Sequence, residues 1–119
     1  MTRADVLSDV FAALADGQRR QILSWLRKEP LPVGALVERL SLSQPGVTRH
    51  LGVLERAGLI RRRAKGRMRI CELDRAGFSA AEAWIAEHQA FWEDALGRLA
   101  AMAEEPDDDR DRHEDRADD

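Results

Sequence analysis

Between Ser43 and Leu73 the spacing of apolar residues changes once, and this change limits the folds open to the chain more than any other feature. In residues 43–57, SQPGVTRHLGVLERA, Val47, Leu51 and Leu54 recur at the three-to-four-residue spacing of a helix. Ser43 suits an N-cap, and Pro45 falls in the first turn, where its missing amide hydrogen is not needed. At ~100° per residue the three apolar side chains share one ~60° sector, which forms the buried stripe. Pro45, Arg49, Gly52 and Arg56 lie opposite it with Thr48 beside them, so the free face is basic and nearly smooth. Gly52 in a helix interior costs about 1 kcal/mol relative to alanine, which gives it a use if another surface approaches closely there. Gly58 ends the run. LIRRRAKGRMRICEL then supplies two extended stretches, 59–64 and 67–73, around Lys65-Gly66, where glycine provides the positive φ of a tight turn. The expectation is a helix followed by a β-hairpin with a basic tip.

Upstream, Val6, Leu7, Val10, Phe11 and Leu14 predict an amphipathic helix over 5–15, broken by Asp16-Gly17. Ile22, Leu23, Trp25 and Leu26 mark a second helix, with Arg27 and Lys28 at its carboxyl end. Pro30 and Pro32 stop it, VGALVERL reads as a short third helix, and SLS is a tight turn. Downstream, 74–77 is a turn and 78–103 a long helix bearing Phe78, Ala81, Ile85, His88, Trp92, Ala95 or Leu96, Leu99 and Met102 at near-heptad spacing. The order helix, helix, short helix, turn, helix, hairpin predicts a mainly α winged helix-turn-helix with a small β-hairpin wing and a long C-terminal helix.

Charge separates the two ends of the chain. Residues 104–119 hold ten acids and three arginines, a net of −7, which leaves +4 on residues 1–103 out of the overall −3. We expect one folded domain over 1–103 and a disordered acidic tail beyond it, because the tail has almost nothing apolar to bury. Within the domain, 49–69 carries eight basic residues against Glu55 alone, a net of +7 in 21 residues. Such a concentration suits a phosphate-binding surface. A recognition helix fits the major groove, where Arg and Gln bond guanine and adenine edges, so Gln44, Thr48 and Arg49 are the base-reading candidates. Arg61, Arg62, Arg63, Lys65, Arg67 and Arg69 of the wing, with Arg56, are expected to hold phosphates. His50, at the edge of the buried sector, is expected to pack or to touch a phosphate.

Three stretches, LADGQRRQILSWL, SLSQPGVTRHLGVLERAGLI and RRRAKGRMRICELD, resemble the sequence blocks of the ArsR/SmtB family of bacterial winged-helix repressors. The resemblance spans roughly residues 5–103. It implies a homodimer built from the first and last helices that binds an inverted-repeat operator near its own promoter and represses transcription. By the family's motif, DNA contacts fall on Ser43, Gln44, Thr48, Arg49 and the wing arginines, with Pro45 in the same helix start. The interface is expected on Val6, Val10, Ile85, His88, Trp92, Leu96 and Leu99. The long helix also exposes more apolar surface than a domain of this size can cover alone, which argues for a two-fold partner.

The departures from the family pattern bear on sensing. LPVGAL has Pro32 and Gly34 where many relatives carry a cysteine pair, and the last helix offers only His88 beside Glu87. Zinc takes three or four ligands, so no metal or other cofactor is expected. Trp84, Phe91 and Trp92 leave open an unidentified small-molecule effector. Cys71, the one cysteine, excludes an internal disulfide. No stretch is long and apolar enough for a membrane span, and a cytoplasmic protein is expected. There is no nucleophile–base arrangement, phosphate loop or metal motif to support an enzyme. The competing reading is a winged-helix module that binds protein rather than DNA, for which the arginine run has no purpose.

Overall fold

The computed structural model describes residues 3–104, with side chains from residue 5 onward. In chain order the elements are α1 (Arg3–Leu14), α2 (Gly17–Lys28), β1 (Leu31–Pro32), α3 (Val33–Leu40), α4 (Gln44–Arg56), β2 (Ile60–Lys65) and β3 (Met68–Leu73). A 3-10 turn, Arg75–Phe78, leads into α5 (Ser79–Ala103). The described chain falls into two units, one through Trp84 and one from Ile85 onward. The acidic tail beyond residue 104 lies outside the described residues.

Each helix boundary in the first unit has a local cause. Asp16 breaks α1 and caps α2, its carboxylate accepting the N–H groups of Gln18 at 2.8 Å and Arg19 at 3.1 Å. Those donors hold the Asp16 carboxyl below the usual carboxylate range. Ser41 closes α3 in the left-handed region at φ 57 and donates its N–H to the Val37 carbonyl at 3.1 Å. Ser43 then caps α4, its hydroxyl accepting the Gly46 N–H at 3.1 Å, with Pro45 in the first turn. Gly58 ends α4 at φ 81. At that point the chain passes so close to Gly77 that a Cβ on Gly77 would lie 1.7 Å from the Gly58 carbonyl oxygen.

The core is one cluster drawn from every helix of the unit and from the sheet. Val10, Ala13, Ile22, Leu36, Val47, Leu51, Leu54, Leu59 and Cys71 are all fully buried. The stripe expected on α4 is therefore the face that packs. The sheet is antiparallel in the order β1-β3-β2, with Ile60 opposite Leu73 and Lys65 opposite Met68. Two details differ from expectation. The hairpin loop is Gly66-Arg67 rather than Lys65-Gly66, because Lys65 still pairs with Met68 and Gly66 takes the positive φ, 62°, at the first loop position. A third strand, β1, had no visible signature: Leu31-Pro32 pairs with Cys71 and Ile70 at the sheet edge, where proline's missing donor is harmless. The expected 74–77 turn is the 3-10 turn, and the long helix begins at Ser79.

Helix α5 has 25 residues, about 37 Å at ~1.5 Å per residue. Ala81 reaches the first unit's core, and Trp84 meets Phe11 edge to face with ring centroids 5.8 Å apart. From Ile85 onward its large apolar side chains are exposed: Ile85 48%, Phe91 and Trp92 57%, Leu96 and Leu99 59% and Met102 69%. Phe91 and Trp92 pack edge to face on each other at 5.2 Å.

Candidate nucleic-acid interface

The buried face of α4 fixes what the other face presents. With Val47, Leu51 and Leu54 locked in the core, Ser43, Gln44, Pro45, Thr48, Arg49 and Arg56 are exposed. Gln44, Pro45, Thr48 and Arg49 line one open hollow at the start of the helix. Gly52 lies on this face too, and among the described residues the only side chain within reach of an added Cβ is the flexible Arg56 guanidinium at 3.2 Å. The smoothness therefore comes from a missing side chain with no fixed neighbour behind it.

The wing cations divide into two groups that the sequence does not distinguish. Glu72 of β3 accepts from Arg61 at 2.9 Å and Arg63 at 3.4 Å across the hairpin, and Arg61 above all holds its carboxyl below the usual range. Arg62 points the other way along the strand and pairs with Glu55 of α4 at 2.6 Å, its side chain only 20% exposed. Its hydrogen bond holds the Glu55 carboxyl low, and Glu55 in turn raises Arg62. The Arg62 Nε is buried and without a partner among the described residues. This corrects the expectation that Arg62 holds a phosphate: period-two alternation turns it inward, where it ties the wing to α4. Lys65, Arg67 and Arg69 are exposed and, with Arg49 and Arg56, form no ion pair among the described residues.

Of the two roles expected of His50, packing and touching a phosphate, the structure shows the first. Arg19 Nη1 lies 3.3 Å from His50 Nδ1, and Gln18 Oε1 lies 3.1 Å from His50 Nε2. Arginine can only donate, so Nδ1 accepts and Nε2 carries the proton and donates to Gln18. Both ring nitrogens are thus engaged inside the protein instead of at a phosphate. Arg19 also donates through Nε to the Ala13 carbonyl at 2.8 Å and through Nη2 to the Ala12 carbonyl at 3.1 Å. One side chain thereby joins the end of α1 and the start of α2 to α4. Sequence reasoning passed over Arg19 and Gln18 because their partner is more than 30 positions away.

Among the interface expectations, Val10 is corrected as well. It is fully buried in the protomer's own core and has no surface to offer a partner. Val6 is half-buried against the same core, His88 is half-buried on α5, and Ile85, Trp92, Leu96 and Leu99 are exposed. Phe11, at 37% exposure, shares an open apolar hollow with Leu7, Ser8 and Trp84. Cys71 is buried beside the Glu55–Arg62 pair, and burial pushes its thiol up to about 11. No group of three or more His, Cys, Asp or Glu among the described residues is arranged to hold a metal ion. None of the described helices is long and apolar enough to cross a membrane.

A helix with one face locked into a core and the other polar and basic, preceded by a short helix and followed by a cationic hairpin, defines a winged helix-turn-helix protein. A family profile described as a helix-turn-helix domain matches residues 14–63. Over 97 residues the chain is 39% identical to the HTH-type transcriptional regulator Rv2034 of Mycobacterium tuberculosis, covering 82% of this chain and 88% of that one. It is similar over shorter stretches to the transcriptional repressor SdpR of Bacillus subtilis, 33% identical over 50% of this chain and 67% of that one. To the transcriptional activator HlyU of Vibrio cholerae it is 45% identical over 43% of this chain and 47% of that one. The crystal structure of an ArsR family transcriptional regulator superposes with a TM-score of 0.69 at 38% identity, covering 76% of this chain and 93% of that one. The chain belongs to the ArsR/SmtB family of winged helix-turn-helix, DNA-binding transcriptional regulators, which are not enzymes.

Proposed function

We propose that residues 1–103 form a homodimeric repressor that binds an inverted-repeat operator, including one at its own promoter. The observation that carries this reading is the exposed Gln44, Thr48 and Arg49 face of α4, flanked by Lys65, Arg67 and Arg69, which form no ion pairs among the described residues. Two copies of α4 would enter successive major grooves about one helical turn, ~34 Å, apart, with the wings on the flanking backbone. Occupying the promoter then excludes polymerase. The likeness to SdpR, named a repressor, supports this sign, whereas the likeness to HlyU, named an activator, favours the opposite one. Gln44, Thr48 and Arg49 read bases, while Ser43, Pro45, Arg56, Arg63, Lys65, Arg67 and Arg69 face or position the backbone. The exposed apolar residues of α5 support the dimer, since a run of this size on a lone helix has no stable place in water.

The test is selection of bound duplexes from fragmented source genome near physiological salt, followed by titration of the best fragment against random competitor. Enrichment of an inverted repeat supports the reading, and a reporter under that sequence gives the sign of regulation. Binding that random duplex abolishes, with no enriched site, overturns it in favour of a protein-binding module. On the selected site Arg49→Ala should cost ~1–3 kcal/mol and relax base preference. Arg67→Ala should weaken selected and random duplexes alike and lower the salt slope by about one. Equal effects of the two substitutions on both duplexes would refute this division of labour.

A further inference from the structure

The first unit also has a cleft of about 420 Å³ between α2 and the junction of β3 with the 3-10 turn. Leu14, Leu23, Leu73 and Phe78 form its apolar walls, and Arg20, Ser24 and Arg27 complete the lining. Arg20, Leu23, Ser24 and Arg27 follow the i, i+3, i+4, i+7 spacing that puts residues on one face of a helix, so α2 itself supplies an apolar floor between two guanidinium groups. Among the described residues no carboxylate lines the cleft. Arg20 spends one donor on the Leu14 carbonyl at 2.7 Å, and Arg27 makes no hydrogen bond or ion pair among the described residues. Among the described residues Arg61 and Arg63 pair with Glu72, Arg62 with Glu55 and Arg98 with Asp94, whereas Arg27 shares its lack of an ion pair with Arg49, Arg56, Arg67 and Arg69, and what sets it apart is the apolar lining beside it.

We propose that this cleft binds a small amphiphilic carboxylate, an acid with a single anionic end and an apolar body the size of a medium-chain fatty acid. The volume lies within the ~300–1,000 Å³ of small-molecule sites, which combine apolar walls with a few placed polar groups. The guanidinium fork matches a carboxylate in plane and charge. A neutral hydrocarbon leaves that charge unanswered, and a polyanion would lose hydration against leucine and phenylalanine. No lining residue lies within 43–69, so the site is separate from the surface proposed to meet DNA and stands or falls without it. Leu73 ends β3, the strand that carries Arg69, so an occupant packs directly against a wing strand.

The test uses the full chain in 1H–15N NMR titrations with decanoate, decanol and decyltrimethylammonium, each below its micelle concentration. Decanoate should give saturable shifts at Leu23, Ser24, Leu73 and Phe78, with an affinity at least about tenfold above that of either control, equivalent to ~1.4 kcal/mol. Arg27→Gln should lower decanoate affinity about tenfold and leave decanol unchanged, because Arg27 holds no part of the fold. Ser24→Trp, which fills the exposed rim, should abolish decanoate binding in a chain whose spectrum stays dispersed. The proposal is overturned by an absence of saturable shifts, as when a second copy covers the cleft. Shifts confined to residues from Ile85 onward, or decanoate affinity indifferent to Arg27→Gln, overturn it equally.

Discussion

His50 shows how a single side chain can belong to the recognition helix and yet serve the scaffold. Because Arg19 can only donate, the neutral ring must carry its proton on Nε2, toward Gln18. Imidazole 15N shifts of the neutral ring should report that tautomer, and the Nδ1–H tautomer would contradict the arrangement. His50→Ala should narrow the gap between selected and random duplex while leaving the salt slope unchanged, since α4 loses orientation and no phosphate contact. Gly77 makes a different demand. A methyl group there would overlap the Gly58 carbonyl, backbone that cannot swing away, so Gly77→Ala should destabilise by ~3 kcal/mol or more in urea unfolding. Gly34→Ala, with nothing within 4 Å, should instead be neutral or stabilise by up to ~1 kcal/mol. Cys71 titrates higher in the folded protein than in the unfolded chain, about 11 against 9.0, so the unfolded chain loses its proton first. Stability should therefore fall as pH rises from 9 toward 11 and gain nothing below 9, and Cys71→Ser should flatten that limb.

At the scale of elements, the Glu55–Arg62 pair decides how the wing sits on α4. Arg62 holds the Glu55 carboxyl below its unfolded value of 4.5. The pair's contribution is thus present above pH 4.5 and is lost as pH falls below it, while the unfolded chain takes up the proton first. Thermal melts between pH 6 and 3 should show an acid loss that Glu55→Gln reduces. Arg62→Ala should destabilise the hairpin without the change in salt slope expected of Arg67→Ala, which separates a structural arginine from a phosphate-binding one. Most elements were legible beforehand because their signals are local. Capping residues, prolines and apolar spacing set α1 to α4 within a residue or two of where they stand. β1 was not legible, since two residues have no period and Pro32 argues against a strand. The pairing of Arg62 was half legible. Alternation along 60–65 shows that neighbouring arginines face opposite ways, but only the packing of α4 under β2 puts Glu55 within reach.

For the whole molecule, the unanswered surface is α5. Phe91, Trp92, Leu96, Leu99 and Met102 are each more than half exposed in the single chain. A dimer burying them should sediment as twice the protomer mass, 2 × 13.4 kDa, at micromolar concentration. Trp92→Lys combined with Leu96→Lys should yield a folded monomer that binds a selected operator far more weakly, since each half-site then binds alone. A dimer that survives both changes would place the interface elsewhere.

By itself the sequence determined the order of the helices and the hairpin, the buried stripe of α4, the basic face opposite it and the family. Helix periodicity, caps and glycine stops act over a few residues, and composition needs no coordinates. Only the tertiary structure decided which of those charges remain available. It assigned Arg62 to Glu55, shared Glu72 between Arg61 and Arg63, and closed His50 between Arg19 and Gln18. It also buried Val10 and left Arg20 and Arg27 flanking an apolar cleft. The physical reason is common to all of these. A side chain's partner is set by which elements pack together, and contacts between residues 7 to 32 positions apart leave no trace in local spacing.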